Sequence, residues 1–157
     1  MNANYLFAFA FGIGVVAGLR SLTAPAVVAW AARSGWLDLS GTPFAFVAAP
    51  ASVAILSLLA LGELVADLLP AIPKRTALAP LLVRILSGAF CGACLFASAK
   101  QVLVIGAIAG AIGAVAGAFG GYEVRRRLVT QLRIPDLFVA LSEDVIALGL
   151  AWLVVSR

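Results

Sequence analysis

The chain has 157 residues, of which 64% are hydrophobic and 11% charged, with no histidine and a mean hydropathy of +1.13. A soluble domain carries about a quarter charged residues and under half apolar ones, so this composition excludes a water-soluble fold and points to an integral membrane protein. The net charge is +4; in such a chain an excess of Lys and Arg reports orientation and anionic-lipid contact before nucleic acid.

Two cysteines and no histidine also exclude the common zinc and haem constellations, and no metal or cofactor is expected. Met1-Asn2-Ala3-Asn4 lacks the basic segment of a cleavable signal, and the apolar run behind it is too long for one, so that run is expected to be a retained membrane helix. A spanning helix needs about 20 apolar residues. Five stretches qualify: Tyr5–Ala32, Phe44–Leu69, Ala77–Ala99, Val102–Tyr122 and Leu137–Val155. They are joined by Ser40-Gly41-Thr42-Pro43, Pro70-Ala71-Ile72-Pro73, a tight turn at Lys100-Gln101, and Ile134-Pro135-Asp136.

The first stretch contains Gly18-Leu19-Arg20-Ser21-Leu22-Thr23-Ala24-Pro25. An arginine at mid-span costs about 2.5 kcal/mol or more, so Arg20 is expected to face protein or water rather than lipid. Pro25 has no N–H and crowds the carbonyl of Ser21, which predicts a broken helix between Arg20 and Pro25. Freed carbonyls there would lie beside a fixed positive charge and the hydroxyls of Ser21 and Thr23. Such a place suits a ligand or ion; equally, Arg20 could do no more than pair with an acid of another span.

In the second stretch Glu63 and Asp67 lie one helical turn apart on one face. Counting residues from the span ends puts Glu63, Arg84 of the third stretch and Glu143 of the fifth at a common depth, roughly 9 to 10 Å from the inner face. Asp144 adjoins Glu143 but points about 100° away. Four acids against Arg20 and Arg84 describe a negative inner vestibule, which favours cations or protons. Closely spaced acids in a low dielectric would also raise at least one pKa, as a proton relay requires. A static lattice of ion pairs is the competing account. In the third stretch Cys91 and Cys94 form a CxxC, which burial in an apolar span makes packing rather than redox chemistry. The fourth carries Gly106, Gly110, Gly113, Gly117 and Gly121, a ridge of small residues for close packing on another helix, within the chain or across a homo-oligomer. Arg125, Arg126 and Arg127 behind it are expected to meet anionic lipid headgroups.

Alternate loops distribute Lys and Arg unevenly. Lys74, Arg75, Arg125, Arg126, Arg127 and Arg133 fall on one side, Arg33, Lys100 and Arg157 on the other. The rule that basic loops stay in the cytoplasm then places the N-terminus inside and the C-terminus outside a bacterial inner membrane. Residues 11–60 also align without gaps on 103–152, matching Gly14 with Gly106, Gly18 with Gly110, Arg33 with Arg125 and Pro43 with Pro135. One span at 77–99 between the two units would invert the second. The expected architecture is one all-α transmembrane domain over 1–157, a 2+1+2 inverted repeat of the kind common in transporters.

The segment Gly18 to Pro25, joined with Glu63-Leu64-Val65-Ala66-Asp67 and then Pro70, Pro73, Arg75 and Thr76, resembles a family of small bacterial membrane proteins, domain of unknown function 4126. The likeness continues through Arg84, Gly88, Gly120-Gly121-Tyr122, Arg125, Pro135-Asp136 and Glu143-Asp144, while Leu68 stands where the resemblance implies a basic residue. It implies a fold and no activity.

The residues therefore lead to a small transporter or channel for an ion, a cation or proton in preference to an anion, or for a small polar solute. A non-transporting scaffold or lipid-binding oligomer is the alternative. No nucleophile–base pair or metal motif supports an enzyme.

Overall fold

A computed structural model of the chain describes residues 3–66 and 78–131, together with the single positions 145 and 149. Among the described residues the fold is all-helical: α1 (Ala3–Leu19), α2 (Thr23–Arg33), a 3₁₀ turn (Ala45–Ala48), α3 (Pro50–Ala66), α4 (Leu78–Ser98) and α5 (Leu103–Gln131). Of these, α4 and α5 are long and apolar enough to cross a membrane. The helices α1 and α3 are apolar but have 17 residues each.

The first expected span breaks where Arg20 and Pro25 predicted, into two helices with Arg20 to Leu22 between them, although Pro25 itself lies inside the first turn of α2, where a missing N–H costs nothing. Two other spans change shape. The second does not start at Phe44. Thr42 ties the chain into a turn, its hydroxyl donating to the Leu39 carbonyl at 2.8 Å and accepting the Phe44 amide at 3.2 Å. The helix begins instead at Pro50, whose fixed φ suits a first helical position. The fourth continues past Tyr122 to Gln131, because its first charges do not end a helix: Glu123 pairs with Arg126 and Arg127 at helical spacing. The expected third span is α4 within a residue at each end. The expected fifth, Leu137–Val155, lies outside the described residues apart from positions 145 and 149.

Helices α1, α4 and α5 pack against one another as one layer, and α2, α3 and the 3₁₀ turn form a second that leans on α1 and α4 through α2. The first layer is closed by glycine. A Cβ on Gly110 would run into the Gly88 carbonyl oxygen, one on Gly92 into that of Gly106, and one on Gly14 into that of Gly110. Gly113 and Gly117 meet the carbonyls of Phe11 and Val15, and Gly18 that of Ala114. Backbone thus lies on backbone along both sides of α5, the approach that only small residues permit. Gly121 is half-buried, and the neighbouring Gly120 faces open space.

The apolar core sits where the layers meet, among Ile13, Val16, Val28, Val47, Val53, Cys91 and Cys94. Edge-on ring pairs fasten its ends, Phe7 on Phe96 at 5.4 Å and Phe44 on Phe90 at 5.6 Å. Outward, the helices present Ile55, Leu58, Leu61, Leu82, Leu86, Val104, Ile108 and Ile112, while Arg20, Thr23 and Arg84 are buried. Large apolar side chains outside and arginines inside depart from the surface of a water-soluble protein.

Candidate functional site

The break between α1 and α2 interrupts a ladder of backbone hydrogen bonds, and side chains of α3 and α4 replace several of them. The last bond of α1 runs from the Arg20 amide to the Val16 carbonyl at 2.8 Å, and the first of α2 from the Ala26 amide to the Leu22 carbonyl at 3.2 Å. Between them the Ser21 and Leu22 amides have left the helix and donate to Glu63 of α3, to Oε1 and Oε2 respectively, each at 2.8 Å. The Ser21 hydroxyl donates to the same Oε1. On the other side the carbonyls of Gly18 and Leu19 accept from Nη1 of Arg84 on α4, the second at 2.9 Å. Ser21 O, which Pro25 has no N–H to reach, accepts from the hydroxyl of Ser87.

The signs follow the helix dipoles. A carboxylate lies at the N-terminus of α2, where unpaired amides concentrate positive potential, and a guanidinium lies at the C-terminus of α1, where unpaired carbonyls concentrate negative potential. Hydrogen bonds to charged groups contribute about 1.5–3 kcal/mol each. Arg84 is 5% exposed and Arg20 3%.

The depth estimate from span ends separated Arg20 from Glu63 and Arg84. The structure brings Glu63 and Arg84 to the two sides of the break that Arg20 begins, because α1 stops at Leu19 and a count along one straight helix does not apply. Ser21 contributes its amide, hydroxyl and carbonyl; Thr23 opens α2 and is buried; Pro25 is buried two residues later. Asp67, Glu143 and Asp144 lie outside the described residues. Ser87 is the participant that sequence reasoning missed. Its only signal is a position three residues after Arg84, on the same face of α4. Cys91 and Cys94 are free thiols buried in the core, further along α4. Gly106, Gly110 and Gly113 lie on the faces of α5 that meet α1 and α4, and Gly117 lies against Gly18 at the end of α1, beside the break.

An all-helical bundle with an apolar exterior, two helices of membrane-crossing length and charged side chains at an interior helix break defines the class. The chain belongs to the family described as domain of unknown function DUF4126, whose pattern matches residues 7–156. No curated protein and no solved structure matches it.

Proposed function

We propose that the protein is a small membrane transporter or channel for an ion, a cation or proton in preference to an anion, with the junction of α1 and α2 as its site. One observation carries this reading. Three carbonyls released from the helix ladder, of Gly18, Leu19 and Ser21, converge on side chains of α4, with a carboxylate on the opposite side of the same turn. Unwound carbonyls and acidic side chains are the groups with which discontinuous helices hold cations and protons. Arg84 occupies the position where a cation would be held, and Glu63 supplies the balancing charge. The apolar outer faces and the buried arginines support placing the junction inside a bilayer. The loop charges support the orientation with the N-terminus inside a bacterial inner membrane.

The alignment of 11–60 on 103–152 supports an inverted repeat, with a difference between the two units. The counterparts of Arg20 to Leu22 are Ile112 to Ala114, inside an unbroken α5, and the counterpart of Pro25 is Gly117. The proline-bearing unit would then hold the site and the glycine-bearing unit the packing.

Reconstitution in liposomes tests the reading, with proton, cation and small-anion flux measured for the wild type and for Arg20→Ala and Glu63→Gln. Cation or proton flux should fall in both variants. Wild-type rates no higher than those of the variants would defeat the proposal. A second reading, a non-transporting scaffold or lipid-binding homo-oligomer, is favoured by the hydrogen bonds that Glu63, Arg84 and Ser87 already make within the protein at the break. It expects no flux and full assembly in every variant that keeps the pairs.

A further inference from the structure

At its far end α5 leaves the apolar segment without ending. From Leu103 to Tyr122 it is about 30 Å long, the thickness of a bilayer's hydrocarbon, and it then continues as helix to Gln131. The first turn beyond that length carries Glu123, Arg126 and Arg127 on neighbouring positions of one face. Glu123 engages both arginines. Its Oε2 lies 3.2 Å from Nε of Arg126, and its Oε1 accepts Nε of Arg127 at 2.8 Å and Nη2 of Arg126 at 3.3 Å. Two guanidinium groups that would otherwise repel are thereby held side by side. Their side chains remain 58% and 66% exposed, and Tyr122 one residue earlier is 37% exposed, as an amphipathic ring at the headgroup level would be.

We infer that Glu123, Arg126 and Arg127 form a binding site for the phosphate of an anionic phospholipid headgroup, in which the carboxylate sets the spacing of the two guanidinium forks. A guanidinium carries five N–H donors and recognises a phosphate through two parallel bonds. At Arg127 Glu123 takes Nε alone, which leaves the two Nη groups of that guanidinium for a phosphate. The place fits a lipid and not a soluble phosphate, because the same helix continues directly into the segment that matches hydrocarbon in length. The inference rests on the membrane aspect of the proposed function and is independent of permeation.

The role given to Glu123 separates this site from simple attraction between a basic end and an acidic surface. Attraction alone predicts that Glu123→Gln, which removes a negative charge, tightens binding of anionic lipid by about fivefold. A site organised by the carboxylate predicts that the same change weakens it.

The detergent-purified full chain is titrated with phosphatidylglycerol or phosphatidylcholine, and bound lipid is counted by native mass spectrometry. The wild type should prefer phosphatidylglycerol. Arg126→Gln and Arg127→Gln should each lose about fivefold of that preference, and Glu123→Gln should lose rather than gain. Inorganic phosphate added in excess should not displace the lipid. Tighter binding by Glu123→Gln, displacement by phosphate, or equal retention of both lipids by the wild type overturns the inference. Failure of the protein to insert into phosphatidylcholine vesicles would instead overturn the membrane reading beneath it.

Discussion

Lys100 and Gly35 occupy the same position in two copies of one helix ending. After α2, the Gly35 amide donates to the Ala32 carbonyl at 3.3 Å and the Trp36 amide to the Ala31 carbonyl at 2.9 Å, with Gly35 at φ +79°. After α4, the Lys100 amide donates to the Ala97 carbonyl at 3.0 Å and the Gln101 amide to the Phe96 carbonyl at 2.9 Å, with Lys100 at φ 55°. Both are Schellman endings, in which the residue just past the helix turns left-handed. A side chain there costs about 1–2 kcal/mol, and glycine's extra backbone freedom offsets about 0.5–1 kcal/mol of any gain from removing it. Lys100→Gly should therefore stabilise the protein by about 0.5 kcal/mol, and Gly35→Ala should destabilise it by about the same amount. Denaturant unfolding in detergent measures both. A loss of stability in Lys100→Gly would mean that the lysine side chain contributes more than its backbone strain removes.

At the scale of the helix, the layer of α1, α4 and α5 is held by glycines on all three partners. Gly110 is the most enclosed, with Gly88 and Gly92 of α4 on one side and Gly14 of α1 on the other. A methyl group there must push neighbouring helices away from α5, and overpacking of this kind typically costs about 1–3 kcal/mol. Gly120, two to three turns later on the same helix, has nothing near it, and alanine there should gain about 0.5–1 kcal/mol from helix propensity. Gly110→Ala and Gly120→Ala should thus move the unfolding midpoint in opposite directions; a shift of the same sign and size in both would show that the close backbone contacts are not what holds α5. The glycine spacing of α5 was legible in the sequence because glycine weakens a helix unless another backbone packs on it, and Gly106, Gly110, Gly113 and Gly117 recur at helical spacing. Its partners were equally visible, Gly14 with Gly18 and Gly88 with Gly92, but spacing within a helix does not say which helix it meets. The true ends of the helices were less legible. Hydropathy closed the span at Glu123, although a helix continues wherever its charges pair along a face, and it opened the second span at Phe44, where a threonine hydroxyl ties off a turn.

Among the described residues the molecule is two layers, with an apolar core between them and a polar connection at the junction of Arg20 to Leu22. Arg84 reaches the junction from the glycine-packed layer, Glu63 reaches it from the layer of α2 and α3, and both fasten onto the same few backbone groups. Arg20, Glu63 and Arg84 stood out in the sequence because charge inside an apolar span is costly; Ser87 did not, because a serine among small residues looks like packing. That Glu63, Arg84 and Ser87 meet at one break depends on where α1 stops, which no residue type announces. Arg84→Met would strand the Gly18 and Leu19 carbonyls and Glu63→Gln would weaken the cap on α2, each costing about 1–3 kcal/mol. If the junction is one unit, the backbone relaxes once either side is released, and the second change costs less than it does alone. The double variant should fall short of the sum of the single ones by about 0.5–3 kcal/mol, measured by reversible unfolding in micelles. Additivity within about 0.3 kcal/mol would mean that Arg84 and Glu63 hold their own helices separately.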